Sequence, residues 1–257
     1  MSLQGVAPCW VAGASGYTGR AVVAELRRLG LATVAHVRPD SRDRAALERA
    51  FTALGATVDV SPWQAAALQA ALQRHRPGVV FGLLGTTRAR AAEAKRQGRD
   101  PEAESYDAID VGLTLMLLGA SKMLAEAGAP PTFVYLSSLG ADRPGPSGYL
   151  QARARVEAEV RASGLPFVIA RPAAITGDDR AEPRPLERFF ARGGDLALDG
   201  LAALGAGGLR ARFASMDAAT LAAGLVRAAL DPSQHGRALD AAWLRAGVAG
   251  GDAGGSR

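Results

Sequence analysis

The 257-residue chain is 48% apolar, enough to fill the core of one large domain and too much for a disordered body. Its formal charge of +5 comes from 30 basic residues, of which only Lys95 and Lys122 are lysine, and the arginines are scattered rather than gathered into a block. Nucleic-acid binding needs a concentrated cation patch, so no nucleic-acid partner is expected.

Cys9 to Ala12 reads as a first buried strand, followed by a glycine-rich turn and a helix over 17–29 that Gly30 ends as a C-cap. A second strand is predicted over 32–37, a helix over 42–54 stopped at Gly55, and a short strand over 57–60. The Ser61–Pro62 pair predicts a helix start, serine capping and proline in the first turn. Residues 78–84 form a continuous apolar run, as in a strand covered on both faces. The Arg-rich stretch 87–101 is expected to be a mobile helix or loop. A helix over 106–127, a buried strand over 132–137, a helix over 149–163 ended by Gly164 and a sixth strand over 167–170 follow. This alternation predicts an α/β fold, a Rossmann-type doubly wound parallel sheet, with residues 1–171 as its dinucleotide-binding core.

After Arg171 the rhythm breaks. Residues 172–246 are expected to supply a small C-terminal substrate lobe together with closing elements of the same domain. These include a short helix over 185–191, a helix over 217–230 and a strand over 237–244. The Gly-rich end, 247–257, reads as a flexible tail. The longest apolar run, from Val111 to Leu118, falls short of the ~20 residues of a membrane span, and no secretory signal is visible at the N-terminus. A single cysteine, Cys9, fits a reducing compartment. No membrane partner, a cytoplasmic location and a monomer or weak dimer are therefore expected.

The turn after the first strand spells Gly13-Ala14-Ser15-Gly16-Tyr17-Thr18-Gly19. Gly13 permits the tight turn, Gly16 lets the backbone approach a pyrophosphate, and Gly19 lets helix and strand pack closely. The helix N-terminus offers free N–H groups to the phosphate charge, and Ser15, Tyr17, Thr18 and Arg20 share this loop. The residue ending the second strand chooses the cofactor, and here it is Arg38, with Arg42 and Arg44 close behind. A guanidinium grips a phosphate bidentately, so NADP(H) is favoured. Asp40 keeps NAD(H) as the alternative.

Three features together resemble the short-chain dehydrogenase/reductase superfamily: the glycine loop, the Ser137-Ser138 pair after the fifth strand, and Tyr149 at a helix start. Within it, five stretches are similar to the atypical branch that includes the Tat-interactive, oxidoreductase-like proteins. They are Gly85-Thr86-Thr87-Arg88, the run from Leu136 to Asp142, the run from Tyr149 to Val160, Arg171-Pro172, and Arg188-Phe189-Phe190. The resemblance spans about residues 8–191. It implies Tyr149 as general acid–base and Ser138 as the hydrogen-bonding partner of a substrate oxygen. At the position of the family's lysine, four residues after the tyrosine, this chain has Arg153, a bulkier, planar cation. The resemblance further implies cofactor contacts from Ser137 and Arg153, and from Asp59 and Val60 beside the adenine. It implies others from Leu84, Gly85 and Thr86 after the fourth strand, and from Arg171, Pro172, Ala173 and Ile175 near the nicotinamide.

The expected function is thus an NADP(H)-dependent oxidoreductase acting on a small carbonyl or alcohol substrate. A non-catalytic NADP(H)-sensing protein is the alternative that Arg153 favours, and a sugar-nucleotide epimerase or dehydratase ranks third. The histidines His36, His75 and His235 are isolated from cysteine and carboxylate clusters, so they are read as packing or surface residues and no metal is expected.

Overall fold

The computed structural model describes residues 7–86, 96–98, 102, 105–173, 175 and 216–246. Strand β1 (Cys9–Ala12) leads through the glycine loop into α1 (Tyr17–Arg28), then β2 (Thr33–His36), α2 (Arg44–Ala53), β3 (Thr57–Asp59), α3 (Ala65–His75) and β4 (Val79–Gly82). A long helix, α4 (Tyr106–Glu126), precedes β5 (Thr132–Leu136), α5 (Gly148–Ala162) and β6 (Phe167–Arg171). Helix α6 (Ala218–Leu230), β7 (Arg237–Asp240) and α7 (Ala241–Arg245) complete the described chain.

The seven strands form one sheet in the order β3-β2-β1-β4-β5-β6-β7, and every pairing is parallel. Parallel strands need crossover helices, and these cover both faces. Side chains alternate accordingly. Cys9 and Val11 belong to one core, which α1, α2, α6 and α7 complete with Val22, Leu26, Phe51, Leu225 and Leu244. Trp10 and Ala12 belong to the other, closed by Leu68 and Leu72 of α3, Leu117 and Leu124 of α4, and Val156 and Val160 of α5. The strand–helix alternation read from the sequence is therefore the observed architecture, and the strand expected after residue 236 joins the sheet as β7.

Three expectations change in detail. Helix α3 starts at Ala65, not at the Ser61–Pro62 pair, because the backbone there turns on Asp59: its carboxylate accepts the N–H of Ser61 at 2.9 Å. The strand expected over 237–244 stops at Asp240, whose carboxylate caps α7 by accepting the N–H of Trp243 at 3.0 Å. Helix α4 has the expected extent, but its apolar span is longer than the run from Val111 to Leu118. It runs for 21 residues, and its most apolar 18-residue window has a mean hydropathy of 1.5, so it is long and apolar enough to cross a membrane by length and composition. It packs between α3 and α5, and 44% of its most apolar window is buried. Its first turns, Tyr106–Leu113, are wound as a wider π-helix before the α-helix resumes at Thr114.

Residues 216–246 are closing elements of the same sheet: α6 lies on α1, and β7 pairs with β6. The helix expected over 185–191, most of the Arg-rich stretch 87–101 and the tail 247–257 lie outside the described residues.

Candidate nucleotide-binding and acid–base site

The strand order reverses between β1 and β4, the crevice where open α/β sheets bind ligands. The glycine loop sits at this point. Gly13 has φ of +80°, and a Cβ there would lie 2.7 Å from the carbonyl oxygen of Leu83. A Cβ on Gly19 would collide with the Gly13 carbonyl. The N–H of Gly16 donates to that same carbonyl at 3.0 Å, closing the turn. No side chain caps α1, whose N-cap is Gly16. The first-turn amides lack intrahelical acceptors by helix geometry, so this end presents a partial positive charge in a cradle that side chains would fill.

A cleft of about 670 Å³, counted with its open mouth, adjoins the loop. Gly13, Ser15 and Gly16 form one wall, Leu83, Leu84 and Gly85 a second, and Ile109 and Leu113 of α4 a third. His36, Arg38 and Trp63 close the far end. Of the arginines after β2, Arg38 alone lines the cleft. It is exposed, with its Nε 3.7 Å from Asp40. Arg44 is paired with Glu48 at 2.8 Å, and Arg42 reaches toward Gln97. Arg20, on the first turn of α1, donates from Nε to the Ser15 carbonyl at 3.0 Å. Tyr17, Thr18 and Gly19 lie on that same turn.

Asp59 and Val60 do not line the cleft. The Asp59 carboxylate accepts from Ser61, Arg74 and His75, and Val60 faces solvent. Burial alone would raise the Asp59 carboxyl, but these three donors hold it down at about 2. Beside it, His36 stacks on Trp10 and meets Trp63 edge-on, with ring centroids at 5.5 and 5.0 Å, and its Nε2 meets the Ser61 carbonyl at 2.8 Å. Because a carbonyl only accepts, Nε2 carries the proton. Burial lowers the His36 pKa, which favours the neutral ring.

Tyr149, half-buried on the first turn of α5, packs its ring on Tyr106 at 5.4 Å and against the Arg153 guanidinium at 5.2 Å. Spacing of four brings the tyrosine and the cation onto one helix face. The guanidinium, 1% exposed, then turns inward. It forms an ion pair with Asp110 of α4 at 2.7 Å and donates to the carbonyls of Leu136 at 2.8 Å and Leu84 at 3.3 Å, and to the Tyr135 hydroxyl at 3.1 Å. Ser138 follows β5, half-buried, its Oγ 3.5 Å from the Leu139 carbonyl.

A second buried network runs along α5 one turn further on. Glu157 accepts from the Ser137 hydroxyl at 2.6 Å and from two nitrogens of Arg171. Pro172 accepts the N–H of Leu139 at 2.9 Å, Ala173 packs on the core, and Ile175 bridges to Met216. Of the residues predicted for cofactor contact, Gly13, Ser15, Gly16, Arg38, Leu84 and Gly85 line the cleft, and Thr86 is buried behind it. Ser137, Arg153 and Arg171 are engaged by protein partners. Sequence reading missed His36, Trp63 and Asp110. The only signal for Asp110 was an acid set inside an apolar helix.

The doubly wound sheet, with a side-chain-free cradle at its switch point, defines a dinucleotide-binding protein of Rossmann type. The chain belongs to the NAD(P)H-binding family, whose model matches residues 13–197. Protein fmp52, mitochondrial, of Aspergillus niger is 32% identical over 112 residues, a match covering 43% of this chain and only 42% of that protein. Among solved structures, AtPrR2 with NADP+ and (+)pinoresinol superposes with a TM-score of 0.64 at 17% identity, covering 91% of this chain and 69% of that one. A Bacillus halodurans protein assigned to the NAD-dependent epimerases/dehydratases gives 0.61 at 17% identity, covering 93% and 98%. Likeness at such identity shows the shared fold.

Proposed function

We propose that the chain is an NADP(H)-dependent oxidoreductase of the atypical short-chain type, acting on a small carbonyl or alcohol substrate. We further propose that it works in the cytoplasm as a monomer or weak dimer. The observation that carries the reading is the link from Tyr149 to the cleft through two neighbouring side chains. Arg153, against which Tyr149 packs, donates to the carbonyl of cleft residue Leu84, and Tyr106, on which it also packs, shares α4 with cleft residues Ile109 and Leu113. The glycine cradle and the uncapped end of α1 fit a pyrophosphate, and Arg38 fits a 2′-phosphate better than a ribose hydroxyl.

When bound, the nicotinamide supplies or accepts the hydride. Tyr149 gives its phenolic proton to the substrate oxygen in reduction, or takes it back in oxidation, and Ser138 donates a hydrogen bond to that oxygen. Arg153 holds the tyrosine ring in place from below. The test is NADPH oxidation across a panel of aldehydes and ketones, with Tyr149→Phe as control. The variant is expected to bind NADPH as wild type does and to lose about a hundredfold or more in kcat. A fully active variant would refute the acid–base role.

A non-catalytic NADP(H)-binding role is the second reading, and the Arg153–Asp110 ion pair favours it. A cation neutralised by a carboxylate lowers the pKa of a neighbouring phenol less than an unpaired one does. Tight NADPH binding without turnover across the panel would select it.

A further inference from the structure

We infer that the buried Asp110–Arg153 pair is a positioning device that clamps the Leu84–Thr86 wall of the nucleotide cleft. The inference rests on the cofactor reading above.

The two residues come from different helices, and both are shut off from solvent, Asp110 at 0% and Arg153 at 1% exposure. Each grips the segment that follows β4. Asp110 accepts the Thr86 N–H through Oδ2 at 2.8 Å, while Arg153 donates through an NH1 hydrogen to the Leu84 carbonyl at 3.3 Å. Between the two held residues lies Gly85, which lines the cleft. The pair itself closes at 2.7 Å through the other carboxylate oxygen and the other terminal nitrogen. The segment leaves the carboxyl end of the central strand β4 here, where ladder hydrogen bonds no longer fix it, so side chains must satisfy its backbone groups. A glycine wall held on both sides keeps one shape before the nucleotide arrives, and preorganisation of this kind raises affinity.

The π-helical winding of Tyr106–Leu113 belongs to the same arrangement. Asp110 lies within it, while Ile109 and Leu113 on either side face the cleft. Wide turns of this kind re-aim side chains within an otherwise regular helix. Arg153 in turn reaches across to β5, through the Leu136 carbonyl and the Tyr135 hydroxyl. In this arrangement the guanidinium braces four elements, and Asp110 and Arg153 are positioning residues that do not themselves touch the nucleotide.

The test separates the clamp from bulk stability. Breaking one partner alone strands a buried charge and risks the fold, so both are changed together. In Asp110→Leu/Arg153→Met the charges and the Thr86 acceptor are all gone. In Asp110→Asn/Arg153→Met the charges are gone but an amide oxygen still accepts the Thr86 N–H. NADPH affinity is read by nicotinamide fluorescence at a temperature where circular dichroism shows each variant folded. The Leu/Met variant is expected to bind about tenfold more weakly than the Asn/Met variant, the scale of one buried donor left unsatisfied. Equal affinities in the two variants overturn the clamp, because a merely structural pair shifts melting temperature and leaves that ratio at one. If the Leu/Met variant does not fold, the Asn/Met variant decides against wild type. Because that variant lacks the Arg153 hold on Leu84, a loss of about threefold or more supports the clamp, and a smaller loss overturns it. Wild-type protein that binds neither NADPH nor NADH removes the cofactor reading itself, an outcome seen before any variant is made.

Discussion

On the proposed reading, cofactor choice turns on Arg38, because its neighbours are committed elsewhere: Arg44 to Glu48, Arg42 to Gln97. Its contact with Asp40 is long and exposed, so surface screening makes it weak and easily exchanged for a phosphate. Arg38→Glu is expected to weaken NADPH by about tenfold or more while NADH changes little, as measured by parallel fluorescence titrations. Equal losses for both nucleotides would exclude Arg38 as the 2′-phosphate ligand. Asp59 does a different job. Its carboxyl is held at about 2, below the ordinary value of 3.8, by Ser61, Arg74 and His75. A depressed carboxyl stabilises the fold above its unfolded pKa, and that contribution is lost as pH falls through about 4 toward about 2. The lost contribution is about 2 kcal/mol. Denaturant titrations at pH 7 and pH 3 should therefore differ less for Asp59→Asn than for wild type. A variant with the same acid sensitivity as wild type would show that Asp59 carries none of it.

At the scale of elements, the loop from β1 into α1 makes two separable demands on its glycines. Gly13 is required by the chain itself: φ is +80° and the Leu83 carbonyl occupies the place of a Cβ. Gly16 has φ of −74°, which any residue adopts, and its nearest obstacle is the Gly13 carbonyl at 3.2 Å. Gly16→Asp should thus melt within about 2 °C of wild type and lose NADPH binding through charge and bulk. Gly13→Ala should lose stability by about 1–3 kcal/mol. A Gly16→Asp protein that binds NADPH normally would mean that the phosphate lies elsewhere. This loop was legible in the sequence because its signal is local: an apolar strand, three glycines and an amphipathic helix in order. The same holds for β4, β5 and β6, whose apolar runs report burial on two faces. Where structure depended on distant partners, reading failed. The start of α3 moved because Asp59 captured Ser61, and Asp110 stayed invisible because the arginine that explains it stands on another helix. Trp63 and His36 were equally hidden, since only tertiary packing brings β2 and the segment after β3 to the same cleft.

The whole molecule joins these scales through the cleft, which draws its walls from the segments after β1 and β4, from β2 and the residues after it, from α4 and from the segment before α3. Two separate cores lie on opposite faces of the sheet, and the cleft opens where the strand order reverses between β1 and β4. A ligand seated there touches elements from both layers, so its binding energy couples to global unfolding rather than to one loop. Anything that binds the native state alone stabilises it by mass action, about 2.7 kcal/mol at a hundredfold excess over Kd. For a domain of this size that corresponds to a rise in Tm of about 5–10 °C. Melting followed by tryptophan fluorescence should show this rise with NADPH at a hundredfold excess over its own Kd. NADH at the same absolute concentration should give a smaller rise, since its Kd is expected to be higher, and Gly16→Asp should show none with either. A rise of equal size for the two nucleotides would leave Arg38 no part in selection. A flat response to both would mean that the cradle holds no dinucleotide, whatever the family to which the chain belongs.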